Sequence, residues 1–292
     1  MKVQKEDTAQ DYILINQNIE RPLYYNLSDC IEKNRKNERC SVFLTTYGGD
    51  IHSAFRMGRC IRHAYKKVKV IIPSICKSAG TIFAICADDL AIGDNGELGP
   101  LDVQINKPEE LAEINSGLNI LNALKIIQEH EIEIFRYVLK DLRYGASLST
   151  KLAAEYAVKM AIGSVAPLYS QIDPIKVAEI SRAMHIALAY GFRLNEYGNN
   201  LKGKEALPLL LSGYPDHGFV IDRKEARRLF RRVGKLSEKE KEIFMLYKKV
   251  LFDPSKPFGP SFFVEDDPEK QKEEIHNETG EGSLPAVDPA GE

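Results

Sequence analysis

The stretch "VIIPSICKSAGTIFAICADD", residues 70–89, decides how the middle of the chain is organised. Its β-branched start is typical of a buried strand, and the small, apolar run from Ser78 to Ala87 is typical of a buried helix. Lys77 and Ser78 interrupt the apolar character where the strand passes into the helix. The Ser78 hydroxyl is therefore predicted to lie at the carboxyl end of a strand, beside the first free N–H groups of a helix.

The segments on either side repeat this alternation of strand and helix. Residues 11–15 and 40–46 are short apolar runs typical of strands, and the second run ends at the turn signal "YGGD". Apolar residues recur at helical spacing between residues 54 and 65, and "KVKVII" and "DDLAIG" predict two further strands. This alternation predicts an α/β fold with a mainly parallel sheet and right-handed crossovers.

The later part of the chain has a different character. Periodicity predicts helices over residues 119–144, 149–162, 173–195, 223–233 and 237–251. Residues 253–292 hold 11 Asp or Glu against 3 Lys, a composition typical of disorder. We expect an α/β core over 1–107, a helical continuation of the same domain over 108–252 with the loop that carries His217, and a disordered acidic tail over 253–292.

Composition limits the kinds of partner and cofactor. The net charge of −2 argues against a dedicated nucleic-acid binder, and no apolar run is long enough to span a membrane. The five cysteines are scattered without a CxxC pair, which is typical of buried thiols in a reducing compartment and argues against a zinc site. The chain also lacks the GxGxxG fingerprint, since its nearest match is spaced GxxGxxG. We therefore expect a cytoplasmic protein without metal or redox cofactor.

Ser78 is the centre of the candidate chemistry. The small residues Ala79 and Gly80 let a substrate carbonyl approach the backbone, and the helix start favours a developing negative charge. This is the chemistry of an oxyanion hole, whose second donor the pair Gly48–Gly49 can supply from the end of the adjacent strand. The plainer alternatives are a helix N-cap for Ser78 and a tight turn for the glycines.

Two known motifs are close to this stretch but do not match it. A phosphate-binding P-loop ends in Gly-Lys-Ser, whereas Cys76 precedes Lys77 here. Cys76 also occupies the first glycine position of the Gly-x-Ser-x-Gly nucleophile elbow. Both a nucleotide-binding loop and an α/β-hydrolase are therefore disfavoured.

Three segments carry a resemblance to a known family. "LTTYGGD", "CKSAGTIFAICADDLAIGDNGELGPLDVQ" and "SGYPDHGFVIDRKEA" resemble the serine dehydrogenase proteinase family, a branch of the Clp-protease and crotonase superfamily. The resemblance covers residues 40 to about 232. It implies a Clp-protease/crotonase-like spiral of β-β-α units, followed by additional helices.

The resemblance also implies a role for each site residue. Ser78 would be the nucleophile, with the N–H groups of Gly49 and Ala79 as oxyanion donors. Asp102 would be the orienting acid of a Ser-Asp-His triad, and a later histidine would be the base. Gly48, Gly80 and Lys77 would support the site.

The choice of base rests on local sequence. His217 lies in "YPDHGF", where a proline and a glycine shape a loop that can present an imidazole to a cleft. His52, just after "GGD", is the main alternative. Lys77 is a weaker one, because adjacent residues at a strand-to-helix junction point apart.

Three functions remain open on this basis. The first is a serine peptidase, a hydrolase that acts on peptide or protein substrates and assembles as a homo-oligomer. The second is a crotonase-like enzyme that acts on acyl-CoA thioesters without a serine nucleophile. The third is a non-catalytic scaffold protein, whose acidic tail, with the segment "PFGPSFFVEDD", binds a protein partner.

Overall fold

A computed structural model describes residues 9–101, 104–105 and 115–263, and it describes the side chains of residues 9–101 and 120–263. The strands are β1 (Asp11–Asn16), β2 (Arg39–Thr45), β3 (Lys67–Ile72), β4 (Ile75–Cys76), β5 (Asp89–Ile92), β6 (Glu97–Leu98), β7 (Gln104–Ile105), β8 (Asn115–Ser116), β9 (Val233–Gly234) and β10 (Phe258–Phe262).

The helices follow the same chain order. They are α1 (Arg21–Asn34), α2 (Ile51–Ala64), α3 (Ala79–Ala84), α4 (Gly117–Lys140), α5 (Thr150–Tyr169), α6 (Pro174–Gly198), α7 (Ala206–Ser212), α8 (Arg223–Leu229), α9 (Glu238–Leu246) and α10 (Lys248–Leu251), with a π-helical turn at Asp141–Gly145. Within the described residues, none of the helices is both long and apolar enough to cross a membrane.

A six-stranded sheet forms the centre of the first compact unit, whose described part is residues 9–101 and 187–263. Its strand order is β10-β1-β2-β3-β5-β9, and every pair is parallel except β10 with β1. One face of the sheet packs against α9 and α10, in a cluster that includes Phe43, Ile71, Tyr247 and Leu251. The predicted α/β class, with its mainly parallel sheet and additional helices, is confirmed.

A second, smaller sheet repeats the order of the first. β4 pairs in parallel with β6, and single bridges join Thr46 to Cys76 and Leu98 to Ile221. A short extended segment therefore follows each of three strands of the large sheet: Thr46 follows β2, β4 follows β3, and β6 follows β5. The helices α2 and α3 come after the first two of these segments. These are the β-β-α units that the sequence predicts, and their short segments end around Ser78.

The second compact unit falls within residues 102–186, and its described part holds the antiparallel pair β7–β8, the helices α4 and α5, and the start of α6. α4 and α5 pack against each other, and the Tyr169 hydroxyl donates to Glu131 at 3.2 Å. α5 buries a stripe at a spacing of four residues, formed by Ala153, Ala157, Ala161 and Val165. Ser149 caps α5, since its side chain accepts a hydrogen bond from the Leu152 N–H.

The predicted start of the disordered tail differs from the structure. Residues 258–262 form β10, which pairs antiparallel with β1, and Phe258 is buried. The apolar side chains of "PFGPSFF" therefore cover the edge of the sheet. The prediction of disorder is wrong for this strand, and residues 264–292 lie outside the described part of the chain. The boundary predicted at residue 107 stays a prediction.

Candidate active site

Ser78 has an uncommon backbone conformation for a serine. It lies between β4 and α3 with φ 51° and ψ −114°, a region that costs a residue with a side chain roughly 1–3 kcal/mol. Its side chain caps no N–H of α3 among the described residues. The N-cap interpretation of Ser78 therefore fails, because the hydroxyl is not used to start the helix.

The glycine pair lies directly beside this turn. The Thr46 N–H donates to the Ile75 carbonyl at 2.8 Å, and the Lys77 N–H donates to the Thr46 carbonyl at 3.1 Å. This pairing brings Gly48 so close to Ser78 that a Cβ on Gly48 would lie 2.8 Å from the serine Cβ. The glycine is required there by a close backbone approach as well as by its φ of 117°.

The backbone N–H groups around Ser78 differ in whether they have a hydrogen-bond acceptor. The N–H groups of Gly80 and Thr81 donate to the Lys77 and Ser78 carbonyls, both at 2.9 Å. The N–H groups of Gly49 and Ala79 have no hydrogen-bond acceptor within the described part of the chain. These two groups, from separate segments, are the donors that the sequence predicts for an oxyanion.

Gly49 and Gly80 also have packing roles. A Cβ on Gly49 would lie 2.3 Å from the carbonyl oxygen of Ile19, which forms a bridge with this glycine. A Cβ on Gly80 would lie 2.5 Å from Thr46 and 2.8 Å from the Cys76 sulfur. The absence of a side chain at Gly80 thus lets α3 pack closely against the small sheet, and its predicted role in the site stays a prediction.

His217 lies in a loop that contacts Lys77, beside the turn at Ser78. The loop is partly exposed at His217, and the next carbonyl, that of Gly218, accepts a hydrogen bond from the Lys77 ammonium at 2.9 Å. Two hydrogen bonds of 3.0 Å between Leu98 and Ile221 hold the end of the loop beside β6. The chain places the His217 segment next to Lys77, one residue before Ser78.

Asp102 lies outside the described residues, so its predicted role stays a prediction. The residue before it, Leu101, donates its N–H to the Leu210 carbonyl at 2.8 Å. Leu210 belongs to α7, the helix that leads into the His217 loop.

The two alternative bases are engaged elsewhere. His52 is exposed, and its Nδ1 lies 2.9 Å from the hydroxyl of Tyr190, against which its ring packs edge-on. Lys77 forms an ion pair with Glu97, with 2.7 Å between Nζ and Oε1. The ion pair occupies the Lys77 ammonium, which has no free lone pair, whereas the His52 contact is at Nδ1 and does not involve Nε2, the other nitrogen that can act as a base.

The sequence analysis missed Glu97, Gly99 and Thr81. Glu97 binds Lys77, Gly99 lies against the lysine stem, and the Thr81 hydroxyl donates to the Gly99 carbonyl at 2.8 Å. The first two lie in "GELGP", part of a segment that carries the family resemblance, but no role was predicted for them. The acidic residue inside this glycine-rich turn was the available signal.

The buried thiols do not compete with the serine as nucleophiles. Cys76, two residues before Ser78, is fully buried, and burial raises the pKa of its thiol well above the usual value. Burial likewise raises the pKa of Cys86 to about 12. Burial also raises the pKa of the Cys40 thiol well above its usual value. These thiols stay protonated at neutral pH, and a thiolate is the reactive form.

The strain at Ser78 leads to a stability prediction. The free energy of unfolding of Ser78→Gly is expected to be about 1–2 kcal/mol higher than that of Ser78→Ala, since glycine adopts a positive φ without steric cost. Urea unfolding of the two variants measures this difference, and both lack the hydroxyl. Equal stabilities would contradict a strained backbone at this residue.

Comparison with known proteins gives distant similarities. No family model matches the chain. Over 72 residues it is 28% identical to the uncharacterized protein MJ0137 of Methanocaldococcus jannaschii, a match that covers 25% of either chain. The chain thus spans about a quarter of the length of the curated relative it matches.

The similar solved structures include two mutants of the 1510-N membrane-bound stomatin-specific protease. The one in complex with a substrate peptide is 16% identical, with a TM-score of 0.32, and the match covers 83% of this chain and 99% of that chain. The other is 17% identical, with a TM-score of 0.31 and coverage of 52% and 70%. A mutant of ClpP1 from Listeria monocytogenes is 19% identical, with a TM-score of 0.24 and coverage of 49% and 77%. At such TM-scores these similarities carry no argument about the site or the reaction.

Proposed function

We propose that this protein is a serine peptidase that hydrolyses peptide bonds through Ser78. The observation that carries the proposal is the conformation of Ser78, which has a positive φ at a strand-to-helix turn and whose side chain does not cap the helix. Nucleophilic serines are presented on such strained turns, which expose the hydroxyl to substrate. The adjacent N–H groups of Gly49 and Ala79 support the same proposal, because an acyl-transfer reaction needs donors for its oxyanion.

The reaction follows from the chemistry of these groups. The Ser78 oxygen attacks the peptide carbonyl carbon while the His217 imidazole takes the hydroxyl proton. The two N–H groups stabilise the negative oxygen, the proton passes to the leaving amine, and water then hydrolyses the acyl-enzyme. Asp102 holds the imidazole in the required tautomer and stabilises its charged form. The substrate class is a peptide or protein, and the active form is a homo-oligomer.

Labelling with a fluorophosphonate probe tests this proposal. The wild-type chain is expected to be labelled at Ser78, because the probe reacts with activated serines and forms a stable ester. Ser78→Ala removes labelling, and His217→Ala and Asp102→Asn lower its rate by at least about 1000-fold. Mass spectrometry of the labelled peptide identifies the modified residue.

The other outcomes distinguish the alternatives. Retained labelling in His217→Ala would move the base to His52 or Lys77. A wild-type chain that is not labelled but binds coenzyme A tightly would replace the peptidase with a crotonase-like thioester enzyme, whose oxyanion hole uses the same two donors. A chain that does neither would contradict both enzymatic functions.

A further inference from the structure

Lys77 connects three segments of the candidate site through one ammonium group. Its Nζ lies 2.7 Å from a carboxylate oxygen of Glu97 in β6 and 2.9 Å from the carbonyl oxygen of Gly218. The side chains of Lys77 and Glu97 are only 13% and 21% exposed. A pair screened from water to this degree attracts more strongly than a surface pair does.

The stem of Lys77 is held by packing as well as by charge. A Cβ on Gly99 would lie 2.7 Å from the lysine Cδ, 3.0 Å from its Cβ and 3.1 Å from its Cγ. The lysine methylenes therefore cross Gly99, which has no side chain to displace them. The direction of the ammonium toward Gly218 is thus set by the shape of the "GELGP" turn.

The ends of the His217 loop have their own anchors. The Tyr214 hydroxyl donates to Glu225 at 3.0 Å, and the ring of Tyr214 packs on Phe219 with 4.7 Å between centroids. Ile221 exchanges two backbone hydrogen bonds with Leu98. Between these anchors, the Lys77 ammonium donates a hydrogen bond to the carbonyl oxygen of Gly218, the residue after His217.

We propose that Lys77 is a positioning residue that holds the His217 loop against the Ser78 turn, and that Glu97 holds Lys77 in place for it. The inference rests on the proposed function, since it concerns the base of that reaction. An ammonium that donates to a carboxylate and to a carbonyl works in its protonated form, whereas a general base needs a free lone pair. Lys77 thus serves the base without being the base.

The test compares variants of the full chain in two measurements. Fluorophosphonate labelling is followed against probe concentration, which separates the maximal labelling rate from the concentration at half-maximal rate. Deuterium exchange of the amides of residues 214–220 reports the order of the loop without any activity. Lys66→Met is the matched control, because Lys66 forms a 2.6 Å ion pair with Glu38 that is exposed on both sides.

Lys77→Met is expected to lower the maximal labelling rate by about 100-fold, the effect of misplacing a catalytic group by about 1 Å, with little change in the half-maximal concentration. Lys77→Arg keeps a donor cation and recovers most of the rate. Glu97→Gln lowers the rate by about 10-fold. The double variant Lys77→Met/Glu97→Gln is labelled no more slowly than Lys77→Met, since both changes disrupt the same contact between Lys77 and the His217 loop. Exchange of residues 214–220 rises in Lys77→Met, while Lys66→Met matches the wild type in both measurements.

Three results would overturn the inference. If Lys77 is the base, Lys77→Met and Lys77→Arg both abolish labelling and the exchange of the loop does not change. If its role is only structural, exchange rises throughout the chain together with a lower melting temperature. If the loop of Lys77→Met exchanges as in the wild type and its labelling is unaffected, Lys77 does not hold the His217 loop in place. An unlabelled wild-type chain contradicts the proposed function instead, and the exchange of residues 214–220 in Lys77→Met still tests the link.

Discussion

Gly48→Ala is expected to lower the rate of Ser78 labelling by at least about 100-fold and the free energy of unfolding by about 3 kcal/mol. The new Cβ would lie 2.8 Å from the Cβ of Ser78 and 3.1 Å from the carbonyl oxygen of Lys77. One of the two segments must move, and either movement displaces the hydroxyl from the N–H groups of Gly49 and Ala79, the proposed oxyanion donors. The φ of 117° at residue 48 adds backbone strain for any residue with a side chain.

Gly203→Ala separates the two causes. Gly203 also has a positive φ, of 86°, but a Cβ there would meet nothing within 4 Å. We expect this control to be destabilised by about 1 kcal/mol and to be labelled at the wild-type rate. Urea unfolding and labelling kinetics of the two variants make the comparison. If Gly48→Ala matched Gly203→Ala in both, the close approach of Gly48 to Ser78 would be refuted.

Four of the six strands of the large sheet, β1, β2, β3 and β5, could be predicted because they are short, apolar and buried. Val42 in β2 is level with Val70 in β3, which is level with Leu90 in β5. Strands buried on both faces are recognisable as apolar runs, and the helices between them require a parallel arrangement. Local composition was sufficient for this part of the fold.

Two elements were missed for different reasons. β10 contains a glycine and a proline, which local rules assign to a loop, but a strand at the edge of a sheet tolerates proline. For β10 the distant partner β1 decides, and a local window does not contain it. No prediction was made for α1, although Leu23, Leu27 and Ile31 recur at a spacing of four residues after Pro22, which is a local helical signal.

The candidate site divides in the same way. The position of Ser78 follows from a strand-to-helix junction within a few residues, and so it could be predicted. The contact of Lys77 with Glu97 and Gly218 depends on pairing between β4, β6 and the segment at Ile221, which are far apart in sequence. No spacing rule specifies that arrangement, so the role of Lys77 could not be derived from sequence.

Arg62→Ala is expected to lower the free energy of unfolding by about 3 kcal/mol, because it leaves the carboxylate of Asp88 buried without its main partner. The Arg62 guanidinium lies 2.5 Å from that carboxylate, and the two side chains are 8% and 11% exposed. The same oxygen accepts the Val68 N–H at 2.8 Å, so the pair joins α2 to the start of β3. Lys67, at 3.6 Å from the other oxygen, limits the loss because it can compensate part of the charge.

The control for this prediction is Lys66→Ala, which breaks a 2.6 Å ion pair whose side chains are 77% and 63% exposed. Its expected loss is below about 1 kcal/mol, since water already solvates both charges. Adding Asp88→Asn to Arg62→Ala should recover part of the stability, because a neutral amide needs no charged partner. Urea unfolding of the wild type, Arg62→Ala, Asp88→Asn and the double variant completes this double-mutant cycle. If Arg62→Ala and Lys66→Ala cost the same, burial does not determine the strength of this pair, and the joint between α2 and β3 depends on apolar packing instead.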